Sequence, residues 1–208
     1  MALFSLPPTD QRSDINMGLF LNGNGGGPAS LQIKRTLAPE WAMQSGVQLT
    51  WPHADTDWAY MLPEVTECYL RLAFEIATRQ TLLIVAPNIE EVRQLIEQRL
   101  PQRATDNIRY YPCATNDTWA RDHAFITLIP ADDENPTTET SDAESTACRL
   151  LDFRFNGWGE KFAADKDNLI NRTLYSKGVF RGERADYDDF VLEGGSIESD
   201  GKGTVLTT

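Results

Sequence analysis

The stretch "TLLIVAPNIEEVRQLIEQRLP", Thr81 to Pro101, decides the fold class. Its first half, "TLLIVAP", is short and apolar without alternation, the mark of a strand buried on both faces. The period then changes. Ile89, Val92, Ile96 and Leu100 recur at three- and four-residue spacing and so line one face of a helix. Asn88 and Glu91 have capping-box spacing at its start, and Pro101 stops it. A doubly buried strand running into an amphipathic helix requires a sheet covered by helices, an α/β arrangement.

Upstream, "VQLTW" (Val47 to Trp51) has strand residues and ends at a proline. "PEVTECYLRLAFEIATRQ" then places Val65, Tyr69, Leu72, Ala73 and Ile76 on one helical face, with Pro63 suited to the first turn. Downstream, "NIRYYP", "AFITLIP" and "CRLLDFRFNGWG" are predicted strands, the last ending in a glycine turn. "KDNLINRTLYSKG" is a predicted helix with a glycine stop. "FVLEGGSIESDGKGTVLTT" is expected to form two strands joined at Asp200-Gly201. The order strand, helix, strand, helix, three strands, helix, two strands describes an α/β chain with mixed sheets. A strand at the end of the sequence would expose unpaired backbone unless covered.

Two segments do not read as core. Residues 1–35, with "NGNGGGPAS" from Asn22 to Ser30, are expected to be a disordered tail, too rich in glycine and turn formers to bury apolar surface. The glycines lack the preceding strand and the lysine of a phosphate-binding loop. "ADDENPTTETSDAESTA", Ala131 to Ala147, carries six acidic residues and no basic one, as a solvated surface loop does.

The 208 residues suit one domain or part of a larger one, with 41% apolar and 24% charged residues as in globular proteins. A net charge of −12 disfavours nucleic-acid binding, which needs a basic face. No apolar run is long enough to span a membrane. The N-terminus lacks the basic and apolar regions of a secretory signal, so the expected compartment is the cytoplasm. Cys68, Cys113 and Cys148 are odd in number and widely spaced, which argues against a disulfide framework or zinc cluster and for buried structural thiols.

Two polar clusters lie next to strands. "NDTWARDHAF" (Asn116 to Phe125) brings together Asn116, Asp117 and Asp122, three groups able to contact a cation. Asp122 reads either as a ligand-facing carboxylate or as an ion-pair partner of Arg121 or a helix cap. In "LEGGS", Glu193 precedes Gly194 and Gly195, which permit positive φ or close backbone approach to a ligand. Glu193 is either aimed at that space or an ordinary surface acid.

Taken together, "WPH" with "DTDW" (Trp51 to Trp58), "NDTWARDHAF", "DFRFNGWG" and "LEGGSIESDGKGTVLTT" resemble, in order and spacing, the agmatine deiminases and the related Porphyromonas-type peptidylarginine deiminases. The resemblance runs from about Leu37 to the last residue. It implies a guanidino-group-modifying enzyme with a five-bladed α/β propeller of the pentein type. About three blades would be present, with residues 36–208 an incomplete catalytic domain. Asp122 and Glu193 would be the carboxylates that grip a planar guanidinium through paired hydrogen bonds. Such positioning can supply up to roughly 7–11 kcal/mol of a barrier. Trp119, Asn116, Asp117, Gly194 and Gly195 would shape the pocket. Trp51 and Trp58 would wall it or serve the core.

The implied activity is hydrolysis of agmatine to N-carbamoylputrescine and ammonia, a step toward putrescine. Peptidyl-arginine or arginine is the alternative substrate, and a non-catalytic guanidino-binding fragment the alternative role. No metal or organic cofactor is implied, because a cysteine thiolate does the covalent work with a histidine as acid and base. Those two residues lie in a "GHxD" motif and a glycine-rich motif downstream of the "LEGGS" segment. Neither motif occurs here, and His53 and His123 belong to other segments. The fragment alone is therefore expected to be inactive and to self-associate through an open propeller edge. One further departure is local. Ala124 and Phe125 stand where the family has glycine and proline, so a displaced loop after Asp122 is expected.

Overall fold

The computed structural model describes residues 2–5, 35–130, 148–200 and 204–208. The glycine-rich Asn22–Ser30 segment and the acidic 131–147 segment lie outside the described residues, as does Gly201. In chain order the elements are β1 (Ala2–Ser5), β2 (Arg35–Leu37), β3 (Gln44–Thr50), α1 (Leu62–Ala77), β4 (Thr81–Ala86), α2 (Ile89–Arg99), α3 (Gln102–Thr105) and β5 (Ile108–Pro112). They continue with α4 (Ala120–His123), β6 (Ile126–Pro130), β7 (Arg149–Arg154), the short turn α5 (Gly157–Glu160), α6 (Ile170–Ser176), β8 (Glu183–Val191), β9 (Ile197–Ser199) and β10 (Val205–Thr207).

These strands form three sheets. The first has the order β1-β3-β4-β5, with β3, β4 and β5 parallel and β1 antiparallel at the edge. The second has the order β2-β6-β7-β8; only the β7–β8 pair is parallel. The third is the antiparallel β9–β10 hairpin. The sheets are mixed, as expected, and β1 places Ala2–Ser5 of the anticipated tail in a strand.

β4 shows why its sequence has no alternation. Leu82, Ile84 and Ala86 pack with α1, α2, β3 and β5 in the main core. Val85, on the opposite face, packs with Cys113 and with Ile170 and Leu174 of α6. Both faces are covered, so both must be apolar. A third cluster, Leu128, Leu151 and Ala185, holds the second sheet.

Several local expectations need correction. α1 buries Val65, Leu70, Ala73 and Ala77, and Leu72 is exposed; Tyr69 and Ile76 are only partly buried. The stripe is thus rotated relative to the one read from the sequence. Asn88 precedes α2 but makes no side-chain cap bond. The first turn is closed instead by its carbonyl, which accepts the Glu91 N–H at 3.2 Å. Cys113 is buried, but Cys68 is exposed and Cys148 partly so. β8, "ERADYDDFV", was not anticipated, since only Ala185 in it is buried.

The parallel strands deliver their following loops to the site region: β3 leads to Trp58, β5 to Trp119, β7 to Trp158 and β8 to Glu193. This is the side on which α/β folds bind ligands. The main core depends on β4, whose Ile84 is fully buried. Ile84→Ala is expected to lower unfolding free energy by about 2–5 kcal/mol in urea denaturation.

Candidate active site

Asp122 sits in the single turn α4, and Glu193 immediately precedes a 3-10 turn, Gly194–Ser196. The two turns touch. The Gly195 N–H donates to Asp122 Oδ1 at 3.0 Å. A Cβ on Gly195 would lie 2.2 Å from that oxygen, and one on Gly194 would lie 2.3 Å from the Arg121 carbonyl. Neither glycine has positive φ. Close approach, not left-handed backbone, is therefore what these two positions require.

The approach brings two carboxylates together. Burial pushes the Asp122 carboxyl up, while the Gly195 N–H and the charge of Arg121 pull it back. Burial also raises Glu193, and the charge of Asp122 raises it further. An acid that its neighbour's charge makes harder to ionise marks a site that favours a cation. Arg121 lowers Asp122 through its charge but makes its own bonds elsewhere. Its guanidinium pairs with Glu40 and donates to the Ile197 carbonyl at 3.2 Å. A cavity lined by residues including Leu37, Glu40, Arg121, Phe125, Gly194 and Ile197 includes neither Asp122 nor Glu193.

Aromatic rings border the carboxylates. Trp119, 39% exposed, meets Trp58 at 6.2 Å and Trp158 edge-on at 5.3 Å between ring centroids. The Trp58 indole N–H donates to Thr118 Oγ1 at 2.9 Å. Trp51 lies elsewhere. It is 3% exposed and packs edge-on against Tyr69 in the main core, so of its two readings the core role holds.

Asn116 and Asp117 hold the loop rather than face open space. Asn116 Oδ1 accepts the N–H groups of Lys166 (2.8 Å) and Asp167 (3.2 Å), and its amide donates to Asp165 at 3.1 Å. Asp167 returns the contact, accepting the N–H of Asn116 at 2.7 Å and of Asp117 at 3.3 Å. Asp117 accepts from Thr118 N–H at 2.7 Å and Asp57 N–H at 3.2 Å. This reciprocal clasp ties the loop after β5 to the segment before α6. Asp167 was missed in the sequence, where "KDNL" read as the start of a helix; the acid three residues ahead of Ile170 was the available signal.

The histidines are both committed. His123 is 1% exposed, its pKa falls to about 3 through burial, and its Nε2 lies 3.4 Å from Thr50 Oγ1. His53 pairs with Thr115 Oγ1 at 2.9 Å, and burial lowers its pKa too. Ala124 takes extended backbone (φ −74°, ψ 165°), which alanine adopts freely, so its replacement of glycine does not prevent the Asp122–Gly195 contact. Among the described residues no cluster of three or more His, Cys, Asp or Glu side chains is arranged to hold a metal. No helix among them is long and apolar enough to cross a membrane.

Asp167 gives a pH test of the clasp. Burial raises its pKa from 3.8 to about 6, opposed by the two N–H donors. A carboxyl whose native pKa exceeds its unfolded value stabilises the fold fully below about pH 4, and that contribution is lost as pH rises through 6. The stability of the native chain minus that of Asp167→Asn should therefore fall by about 3 kcal/mol between pH 4 and 7 in urea denaturation.

The chain is similar in sequence and in structure to known proteins. The model of the Porphyromonas-type peptidyl-arginine deiminase family matches residues 36–208. An agmatine deiminase of Pseudomonas putida is 30% identical over 178 residues, covering 81% of this chain and 42% of that protein. A Porphyromonas gingivalis structure assigned to the arginine deiminases superposes with a TM-score of 0.68 at 45% identity, covering 84% of this chain and 47% of that one. A C. jejuni agmatine deiminase, a cysteine-to-serine variant with substrate bound, gives 0.65 at 31%, covering 83% and 45%. The chain spans less than half the length of these relatives. With the family match extending over all but the first 35 residues, the chain belongs to the Porphyromonas-type peptidyl-arginine deiminase family.

Proposed function

We propose that residues 36–208 carry the guanidinium-gripping part of a deiminase that hydrolyses agmatine to N-carbamoylputrescine and ammonia. The observation that carries this reading is the meeting of Asp122 and Glu193 across the Asp122–Gly195 hydrogen bond. A planar guanidinium presents N–H pairs to two such acids at once, and its charge relieves their repulsion. Trp119 offers a flat, partly exposed face beside them, suited to stacking on the same cation. The three sheets support reading the chain as about three blades of a five-bladed propeller.

The covalent step needs a thiolate beside the two acids, and neither Cys113 nor Cys148 supplies one. Cys113 packs against Val85, Ile170 and Leu174, and burial raises its pKa, the opposite of what a nucleophile requires. Burial raises Cys148 as well. The chain therefore binds the guanidinium without turning it over, and further sequence of the family type would complete the enzyme. Agmatine is the substrate favoured, with arginine and peptidyl-arginine as the competing ones. Exposed Phe190, Val191 and Leu206 near the last strands support self-association of the isolated chain.

Calorimetry with agmatine tests the reading. Asp122→Asn and Glu193→Gln should each weaken binding tenfold or more, since hydrogen bonds to charged groups contribute about 1.5–3 kcal/mol. Affinity should fall as pH drops through the raised pKa values of the two acids, because protonation removes the acceptors. Equal binding by both variants would contradict the assignment. No ammonia should be released by the purified chain, and turnover would overturn the view that its nucleophile is missing. Size-exclusion chromatography should show species larger than a monomer.

A further inference from the structure

We propose that Asn171 is a positioning residue for Asp122: its side-chain amide holds the His123 carbonyl and so fixes, from behind, the turn that carries the carboxylate. The proposal rests on the reading of Asp122 as a guanidinium-binding acid.

The turn needs an outside hold. α4 is a single turn, closed by a bond from the Ala124 N–H to the Ala120 carbonyl at 3.0 Å. At Ala124 the backbone becomes extended, so no following helical N–H reaches the His123 carbonyl. His123 is 1% exposed, and a carbonyl in the interior needs a donor. Asn171 Nδ2 supplies it at 2.8 Å, from 48 residues further along the chain.

The amide is itself aimed. Nδ2 gives its other hydrogen to Asp152 Oδ1 at 2.7 Å. With oxygen and nitrogen exchanged, the amide oxygen would face two acceptors, so the orientation is set by its partners. Asp152 is a buried acid of β7, 5% exposed, and Arg184 of β8 balances its charge. Arg184 Nε donates to Asp152 Oδ2 at 2.8 Å, and Nη2 lies 2.6 Å from the same oxygen. These charge-assisted bonds hold the carboxylate in one place. The contacts run from Arg184 through Asp152 and Asn171 to His123, the residue next to Asp122.

Asn171 works with a second grip. Asp167, four residues earlier and about one helical turn away, accepts the N–H groups of Asn116 and Asp117. One short run, 167–171, therefore holds both ends of the stretch 116–123, and Trp119 and Asp122 lie between the grips. Ile170 and Leu174 anchor that run on Val85 of the first sheet. Asn171 acts on the backbone of the turn, and the carboxylate of Asp122 keeps its own contact with Gly195.

The test uses the 208-residue chain labelled with 15N and 13C. A scalar coupling should connect Asn171 Nδ2 with the His123 carbonyl carbon, and its absence overturns the proposal. Asn171→Leu roughly keeps the volume and removes both donors. Without ligand, its Gly195 amide proton should move upfield as the bond to Asp122 loosens, and its agmatine affinity should fall about tenfold or more. Thr173→Ala removes a bond to the Leu169 carbonyl on the same helix and should change neither reading. A folded Asn171→Leu chain with native Gly195 amide and native affinity overturns the proposal, as does an equal response in Thr173→Ala. If Asn171→Leu does not fold, Asn171→Ser, whose single hydroxyl hydrogen cannot serve both acceptors, is read in the same way. Failure of the unaltered chain to bind agmatine would sink the guanidinium reading, and it is distinguishable because the Gly195 amide reports the Asp122 turn without ligand.

Discussion

The site depends on one close approach: the Gly195 amide against the Asp122 carboxylate. The two groups belong to different parts of the molecule, the turn after β8 and the turn after β5. No side chain can occupy the space between them, as the Cβ distances at Gly194 and Gly195 make plain. The approach sets the partly desolvated Asp122 and Glu193 close enough that the charge of Asp122 raises Glu193. A fold that accepted this for stability alone would gain more from apolar packing. The arrangement makes physical sense when a cation completes it.

Everything around the pair serves to keep it in place. Arg121 tempers Asp122 by its charge, while its guanidinium bonds to Glu40 and the Ile197 carbonyl. The Asn116–Asp167 clasp fixes the loop that carries Trp119. The left-handed turn at 157–160 sets Trp158 edge-on against Trp119. Each of these pieces follows the C-terminal end of a strand or packs on one that does, so the rigid sheets set the geometry and the loops supply the chemistry.

The regular elements were legible because burial wrote itself into their patterns. β4 reads as a doubly buried strand, and α2 buries Ile89, Val92 and Ile96 as its period predicts. β8 was illegible for the converse reason. Its side chains are mostly exposed and four of its nine are acidic, and it is held by pairing with β7 and by the Arg184–Asp152 ion pair, which no local pattern reveals. At the site, Asp122, Glu193 and the two glycines were named from their motifs. The roles of Asn116 and Asp117 as loop anchors, and of Asp167, were not. Those roles arise from contacts across tens of residues, such as the 51 separating Asn116 from Asp167. Trp51 shows the limit from the other side: the residue type suits a pocket wall or a core, and only the packing against Tyr69 decides.

The central claim is that Asp122 and Glu193 receive one flat cation. Backbone amide spectra of the chain titrated with agmatine test it most directly. The account predicts that the Gly195 amide and the Trp119 indole shift together and saturate at a single site, with no matching change from putrescine, which lacks the guanidinium. Shifts scattered over the acidic surface, or equal responses to both amines, would contradict it.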